Sequence, residues 1–212
     1  MNYLWQEFNI KTFPANTIVY LDGILRDDLS DNSDPNLPTH VIFVGDISGN
    51  HKLEIINSQF LTVKIKVKKT AFLDIFIKNT EKNNNISANL VCFNESSLKV
   101  GIKACNFTKN TEIFVKAKIL AGSGSETDLL AAAEIAKSAP GAKSDVFLSA
   151  MCAPDIKSLR FHPAQIISSI PDSAQHSADI FAGTPQQIQY LGESGMTNAE
   201  IKAVLEESFI NS

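Results

Sequence analysis

Few side chains in this sequence have the type and spacing that chemistry requires, and His176 is the first of them. It stands in Gln175-His176-Ser177-Ala178, among small or neutral neighbours that offer no structural ion pair. A neutral imidazole binds iron and other transition metals, and its proton comes and goes near neutral pH. His162 precedes a proline and serves as its natural internal comparison. The three cysteines, Cys92, Cys105 and Cys152, are odd in number and spaced as neither a disulfide framework nor a zinc site, so they read as small buried hydrophobes. Asp27, Asp28, Asp31 and Asp34 do not follow a calcium loop's ligand order and read as a solvated loop within 26–38. Ala121-Gly122-Ser123-Gly124-Ser125 lacks the Gly-Lys-Ser/Thr ending of a phosphate loop. No Gly-x-Ser-x-Gly or His-Glu-x-x-His occurs, and the strand-like runs offer acids only singly, at Glu54, Asp74 and Glu112. The residues do not favour an enzyme, a carbohydrate-active solenoid included.

The elements that must position His176 are written on both sides of it. Gln165–Ser168 reads as a strand, followed by a turn signal at Pro171-Asp172. Two short helices follow, expected at about 184–193 and 197–210. Thr184-Pro185-Gln186-Gln187 supplies an N-cap threonine, proline at the first helical position and glutamine three residues after the cap. Thr197-Asn198-Ala199-Glu200 is a capping box, and Gly195 suits the left-handed end of the first helix. Ile188 and Leu191 stripe the first helix; Ile201, Val204, Leu205 and Phe209 stripe the second. Two helices this short cannot bury all of that on each other. Part is therefore expected to pack on the body of the protein and part to remain available to a partner.

Upstream, the chain reads as strands. Ile18–Leu21 ends at Asp22-Gly23, Val41–Val44 at Gly45-Asp46, and Leu53–Ile56 at Asn57-Ser58. Leu61–Val67 alternates, with Val63, Ile65 and Val67 on one face and Lys64, Lys66 and Lys68 on the other. Runs follow at 72–77, 87–93, 98–104 and 111–119, then at 144–150 and 158–161. Strands at this spacing, without long helices between them, indicate an all-β core. Val63, Ile65, Val67, Ile75, Ile77, Val91, Ile113 and Val115 are expected to face inward. The pattern leaves a sandwich and a solenoid open. Asn-rich turns such as Asn83-Asn84-Asn85, and a shortage of two-residue hairpin signals, lean toward the solenoid. Residues 127–137 could be helical by propensity, a reading that stays open. Trp5, Phe8 and Phe13 in the first seventeen residues suggest a cap over an open sheet edge.

Several classes are excluded by composition. At 212 residues and 44% hydrophobic content the chain can bury a core, expected as one domain with an appendage. A net charge of −4 gives no reason to expect nucleic acid as a partner, and no aromatic residues interleave the lysine face. No apolar run is long enough to span a membrane. Met1–Glu7 lacks the basic and apolar parts of a signal peptide, and with the cysteine usage this points to the cytoplasm.

Pro163, His176, Ala178, Gln187, Tyr190-Leu191, Gly195 and Phe209 together resemble the closing signature of the SufB/SufD family, subunits of an iron–sulfur cluster assembly machine. In that signature a proline lies about thirteen residues before a histidine. Gln-x-x-Tyr-Leu, a glycine and a terminal phenylalanine follow. Near the other end, Ile18-Val19-Tyr20-Leu21-Asp22-Gly23 followed by Leu29-Ser30-Asp31 is similar to the SufD-type entry into the core. The resemblance covers both ends of the chain, and the middle matches in character only.

The resemblance implies a right-handed parallel β-helix over about 18–170, after a capping segment 1–17 and before a C-terminal helical subdomain 171–212. It implies β-helix pairing with a SufB-like subunit or with itself as a dimer. It also implies docking of a SufC-like ABC ATPase on the helices, through Tyr190, Leu191, Ile201, Leu205 and Phe209. An iron–sulfur cluster would assemble transiently at the subunit interface, with His176 as this chain's ligand. The position matching the SufB cysteine falls near Lys143 or Ser144, with Cys152 several residues later, so the chain looks SufD-like. No segment corresponds to the N-terminal helical domain of typical members, and Gly192-Glu193-Ser194 stands where the family is usually basic. The competing expectation is a β-solenoid that scaffolds interactions and has lost cluster chemistry.

Overall fold

The computed structural model describes residues 6–8, 17–20, 40–57 and 59–212, with side chains for 45–57 and 59–212. The expected capping roles of Trp5 and Phe13, the Asp22-Gly23 turn and the acidic loop 26–38 lie outside the described residues.

Strands dominate, at about 60% of the described residues, and they coil as a parallel β-solenoid of about 4 turns followed by two helices. In order they are β1 (Gln6–Phe8), β2 (Thr17–Tyr20), β3 (His40–Ile56), β4 (Phe60–Asn79), β5 (Asn85–Asn94) and β6 (Ser97–Asn106). Then come β7 (Glu112–Ala121), β8 (Glu126–Ile135), β9 (Lys143–Cys152), β10 (Ser158–Ile167) and β11 (Ser173–Phe181). The helices are α1 (Pro185–Glu193) and α2 (Asn198–Asn211). Every strand pair is parallel, and each strand from β5 onward pairs with the strand two along in sequence. That skip is the mark of a coil with two sheets. One sheet runs from the first half of β4 through β5, β7, β9 and β11; the other runs from its second half through β6, β8 and β10.

β4 shows how one run of sequence builds both sheets. Leu61, Val63, Ile65 and Val67 are buried at alternate positions; Lys68, Lys69 and Thr70 are exposed in succession; alternation resumes at Ala71, Leu73, Ile75 and Ile77. The three exposed residues form the corner where the chain crosses between sheets. Leu61, Val63, Leu90 and Val115 then face Ile75, Ile77 and Ile102 across one small internal void, so a single core fills the space between the sheets. Burial of this apolar area, at about 25 cal/mol per Å², is the main stabilising term. Val91 departs from the expected inward set: Leu90 and Cys92 point inward and Val91 sits half-buried outside. With a period of two, a one-residue difference in register exchanges the faces.

The ambiguous stretch 127–137 resolves as β8. Thr127, Leu129, Ala131, Ala133 and Ile135 are buried at alternate positions, and β8 is bonded to β6 on one side and β10 on the other. Alanine favours helices, yet two flanking ladders satisfy the whole backbone of this run and override that weak preference.

Corners depend on asparagine. Among the described residues, the non-glycine ones with positive φ are Asn57 (56°), Asn83 (60°) and Asn110 (56°), the left-handed conformation that asparagine tolerates. Asn79 and Asn94 are fully buried at strand ends, where their side-chain amides donate to Asn84 O at 2.9 Å and Glu126 O at 2.8 Å. They thereby add a side-chain donor to backbone carbonyls at the corners, where Asn84 O also accepts from Glu112 N at 3.1 Å. Outside, charges pair between turns, as in Lys66–Glu95 at 2.7 Å and Lys68–Asp46 at 2.6 Å. The lysine face is thus a solvated surface with its own counter-charges. The segment that carries β1 lies against the start of the coil, pairing residues 6–8 with 51–53.

Candidate functional site

The solenoid continues one strand beyond its expected end at residue 170. His176 is not on a connecting segment; it is the fourth residue of β11, paired with Val146 of β9. The physical reason is simple: Ser173–Phe181 finds the free edge of β9 and extends the ladder, taking the backbone bonds that a loop would leave to water. Register then fixes what each residue faces. Val146, Leu148 and Ala150 are buried inward residues, so their partners His176, Ala178 and Ile180 occupy the inward row too. All three are nevertheless exposed, Ile180 at 67%. Opposite them, β10 carries Phe161, Gln165 and Ile167 in register with buried Leu129, Ala133 and Ile135, and Ile167 is 47% exposed.

Among the described residues no further turn covers β10 and β11. The interior of the coil opens to solvent there, and His176 stands in the opening. The corner beside it is apolar as well, with Ile170 at 83% exposure. His162 lies elsewhere, on the outer face of β10, with Nε2 3.1 Å from Asp128 Oδ1. Among the described residues no group of three His, Cys, Asp or Glu side chains lies close enough to hold a metal.

Two of the three cysteines are closed off from solvent. Cys92 is fully buried in the core, and burial pushes its thiol far above the usual range. Cys105 faces outward yet is fully covered, its Sγ 3.6 Å from Glu134 Oε2; burial first, then the Glu134 charge, push it up to about 12. Burial raises Cys152 as well, and its half-buried side chain packs on the core.

The helical pair has the caps expected of it. Thr184 with Gln187 and Thr197 with Glu200 each form a complete capping box. The five residues expected to meet a partner separate into two groups. Ile201, Leu205 and Phe209 are buried and hold α2 on the chain itself, a correction to their expected place at a partner surface. They lie at spacings of four, so one face of α2 carries all three to the same support. The support includes Phe181, whose ring stacks on Phe209 with centroids 5.7 Å apart, and Gly183, where a Cβ would come within 2.7 Å of Leu205. Tyr190 stays at the surface, 70% exposed, and Leu191 is half-buried. α1 has no buried residue at all, and Ile188 and Val204 widen the apolar area beside it.

Lys116 and Lys118 on β7 were missed by sequence reasoning. Their ammonium groups meet the C-terminal end of α2, more than ninety residues away in sequence, and no local pattern marks such a contact. The exposed apolar residues of the last turn had a faint signal, since the alternation of earlier strands continues through 158–181.

Fold and site together define a class: a two-sheet parallel β-solenoid with an open final turn and an attached, capped helical pair. No protein-family model matches the chain, and no curated protein does. No helix among the described residues is long and apolar enough to cross a membrane.

Proposed function

We propose that this chain is a SufD-like subunit of a SufBCD-type iron–sulfur cluster assembly complex in the cytoplasm, acting by holding partners and cargo and not as an enzyme. The observation that carries the reading is the position of His176: on the inward row of the last strand, yet exposed at the open end of the coil. A neutral imidazole there is a competent iron ligand. The described residues form no group of three or more such ligands, so the remainder of a cluster site comes from a second subunit, a SufB-like partner or another copy of this chain. The cluster is transient cargo at that interface. β10 and β11 each end their sheet with a free edge, and pairing those edges with a partner's strands would cover Ile167 and Ile180 and continue both ladders. A SufC-like ABC ATPase would dock on α1, where Ile188 and Tyr190 stand free of the body.

The second reading, a scaffold without cluster chemistry, is favoured by the thiols, since all three are raised by burial and Cys92 and Cys105 are fully covered. The two readings are separated by reconstituting the chain with a SufC-type ATPase and a SufB-type subunit and following cluster formation by its visible absorbance. His176→Ala abolishes cluster formation and His162→Ala does not if the chain supplies a ligand. Equal activity of the two variants assigns the chain to scaffolding.

A further inference from the structure

α1 touches the rest of the protein chiefly through α2, so the direction in which it faces depends on how α2 is held. The last carbonyls of any helix lack partners within it. In α2 those of Phe209 and Ile210 are taken by one lysine of β7, and that of the capping Ser212 by a second. Lys118 Nζ donates to Phe209 O at 2.6 Å, to Ile210 O at 2.9 Å and to Ser212 Oγ at 3.2 Å. Lys116 Nζ donates to Ser212 O at 2.8 Å. Lys118 is 4% exposed, and its ammonium also lies 5.5 Å from the Phe209 ring centroid. A lysine is rarely buried this far without a carboxylate. Here three oxygen acceptors and an aromatic face surround the ammonium, against burial and the Lys116 charge, which both lower its pKa.

We propose that Lys118, with Lys116 beside it, is a positioning residue: a cationic clamp on the end of α2 that fixes the helical pair on the solenoid and so sets where α1 presents its surface to a partner. The apolar anchors Ile201, Leu205 and Phe209 give α2 adhesion without direction; the clamp supplies the direction, because its bonds are made to particular carbonyls. The consequence for partner binding rests on the reading that α1 docks an ATPase, while the clamp itself does not.

The test uses the full chain with Lys118→Met, which keeps length and removes the donors, alongside Lys116→Met and, as a surface control, Lys64→Met. Amide hydrogen exchange is followed in residues 201–211 and in the core strands β5 to β7. Exchange in α2 of Lys118→Met is expected to rise by at least about tenfold, with a smaller rise in Lys116→Met and none in the core strands. Affinity for the ATPase is expected to fall with it while the melting temperature of the solenoid holds. Unchanged α2 exchange in Lys118→Met overturns the clamp. If that variant does not fold, unchanged exchange in Lys116→Met overturns it instead. Faster exchange with undiminished ATPase affinity overturns the positioning role. A wild-type chain that binds no ATPase refutes the docking reading, and the exchange data still decide whether the clamp exists.

Discussion

Two imidazoles and three thiols show how environment, not residue type, assigns roles at the scale of single side chains. His176 faces the open interior, whereas His162 has the Asp128 carboxylate at 3.1 Å on the outer face, and this is why one is a candidate ligand and the other its control. The thiols allow a direct chemical check. Cys92 and Cys105 are fully buried with raised pKa values, so at pH 8 iodoacetamide should label the native protein at both far more slowly than the urea-unfolded chain. Mass spectrometry after brief labelling reads the result, and equal rates in the two states would contradict the burial. The same shifts carry a pH dependence. A thiol whose folded pKa is raised stabilises the fold below the usual thiol range. That contribution is lost as pH rises from there toward about 12, because the unfolded chain gives up its proton first. Urea midpoints should therefore fall between about pH 9 and pH 11, and replacing Cys105 by Ala should reduce the fall.

Among the elements, β8 and α2 make contrasting cases. β8 is composed of good helix formers but owes its state to neighbours on both sides and to the inward row Leu129-Ala131-Ala133. Leu129→Ala leaves a cavity at a fully buried position and should cost about 2–5 kcal/mol of stability in a urea titration. A cost below about 1 kcal/mol would mean that the core collapses around the change. α2 instead carries its start within four residues. Thr197→Ala removes the acceptor for Glu200 N and should cost about 0.5–2 kcal/mol, read as faster amide exchange confined to the helix. The cap holds the Glu200 carboxyl below the usual carboxylate range, so its contribution is present at neutral pH and is lost as pH falls through that lowered value. Gly141 marks the limit for a corner: its φ is +70° and an added Cβ would lie 2.8 Å from Asn110 Oδ1, so Gly141→Ala should destabilise the turn by strain and contact together.

At the scale of the whole molecule the open last turn dominates. A coil of parallel strands ends in two sheet edges and an apolar cross-section, and here Ile167, Ile170 and Ile180 are all exposed around it. Ile180→Asp puts a charge in that opening while leaving the buried rows of the earlier turns untouched. If the opening is where a partner joins, this variant should lower the sedimenting mass of the wild-type assembly, or lose its SufB-type partner in pull-down. Unchanged association would move the interface elsewhere on the molecule.

Much of this is legible in the sequence. Alternation in 61–67, the two capping boxes and the Asn-rich corners are local signals, and local signals follow from backbone geometry within a few residues. Parallel pairing has no local signature of that kind, because each strand from β5 onward bonds to residues 27 to 32 places away, as Asn85 does to Glu112 and Glu126 to Ser158. Hence the last strand reads in sequence as a connection, Val91 as inward-facing and 127–137 as helical by propensity, and only the neighbouring ladders assign them otherwise. The buried anchors of α2 and the lysines that clamp its end belong to the same category. Sequence periodicity says which face of a helix is apolar, but whether that face meets a partner or its own chain depends on what surface lies beneath it. Only the coiling of the solenoid brings Phe181, Lys116 and Lys118 under α2 and leaves His176 at an open end.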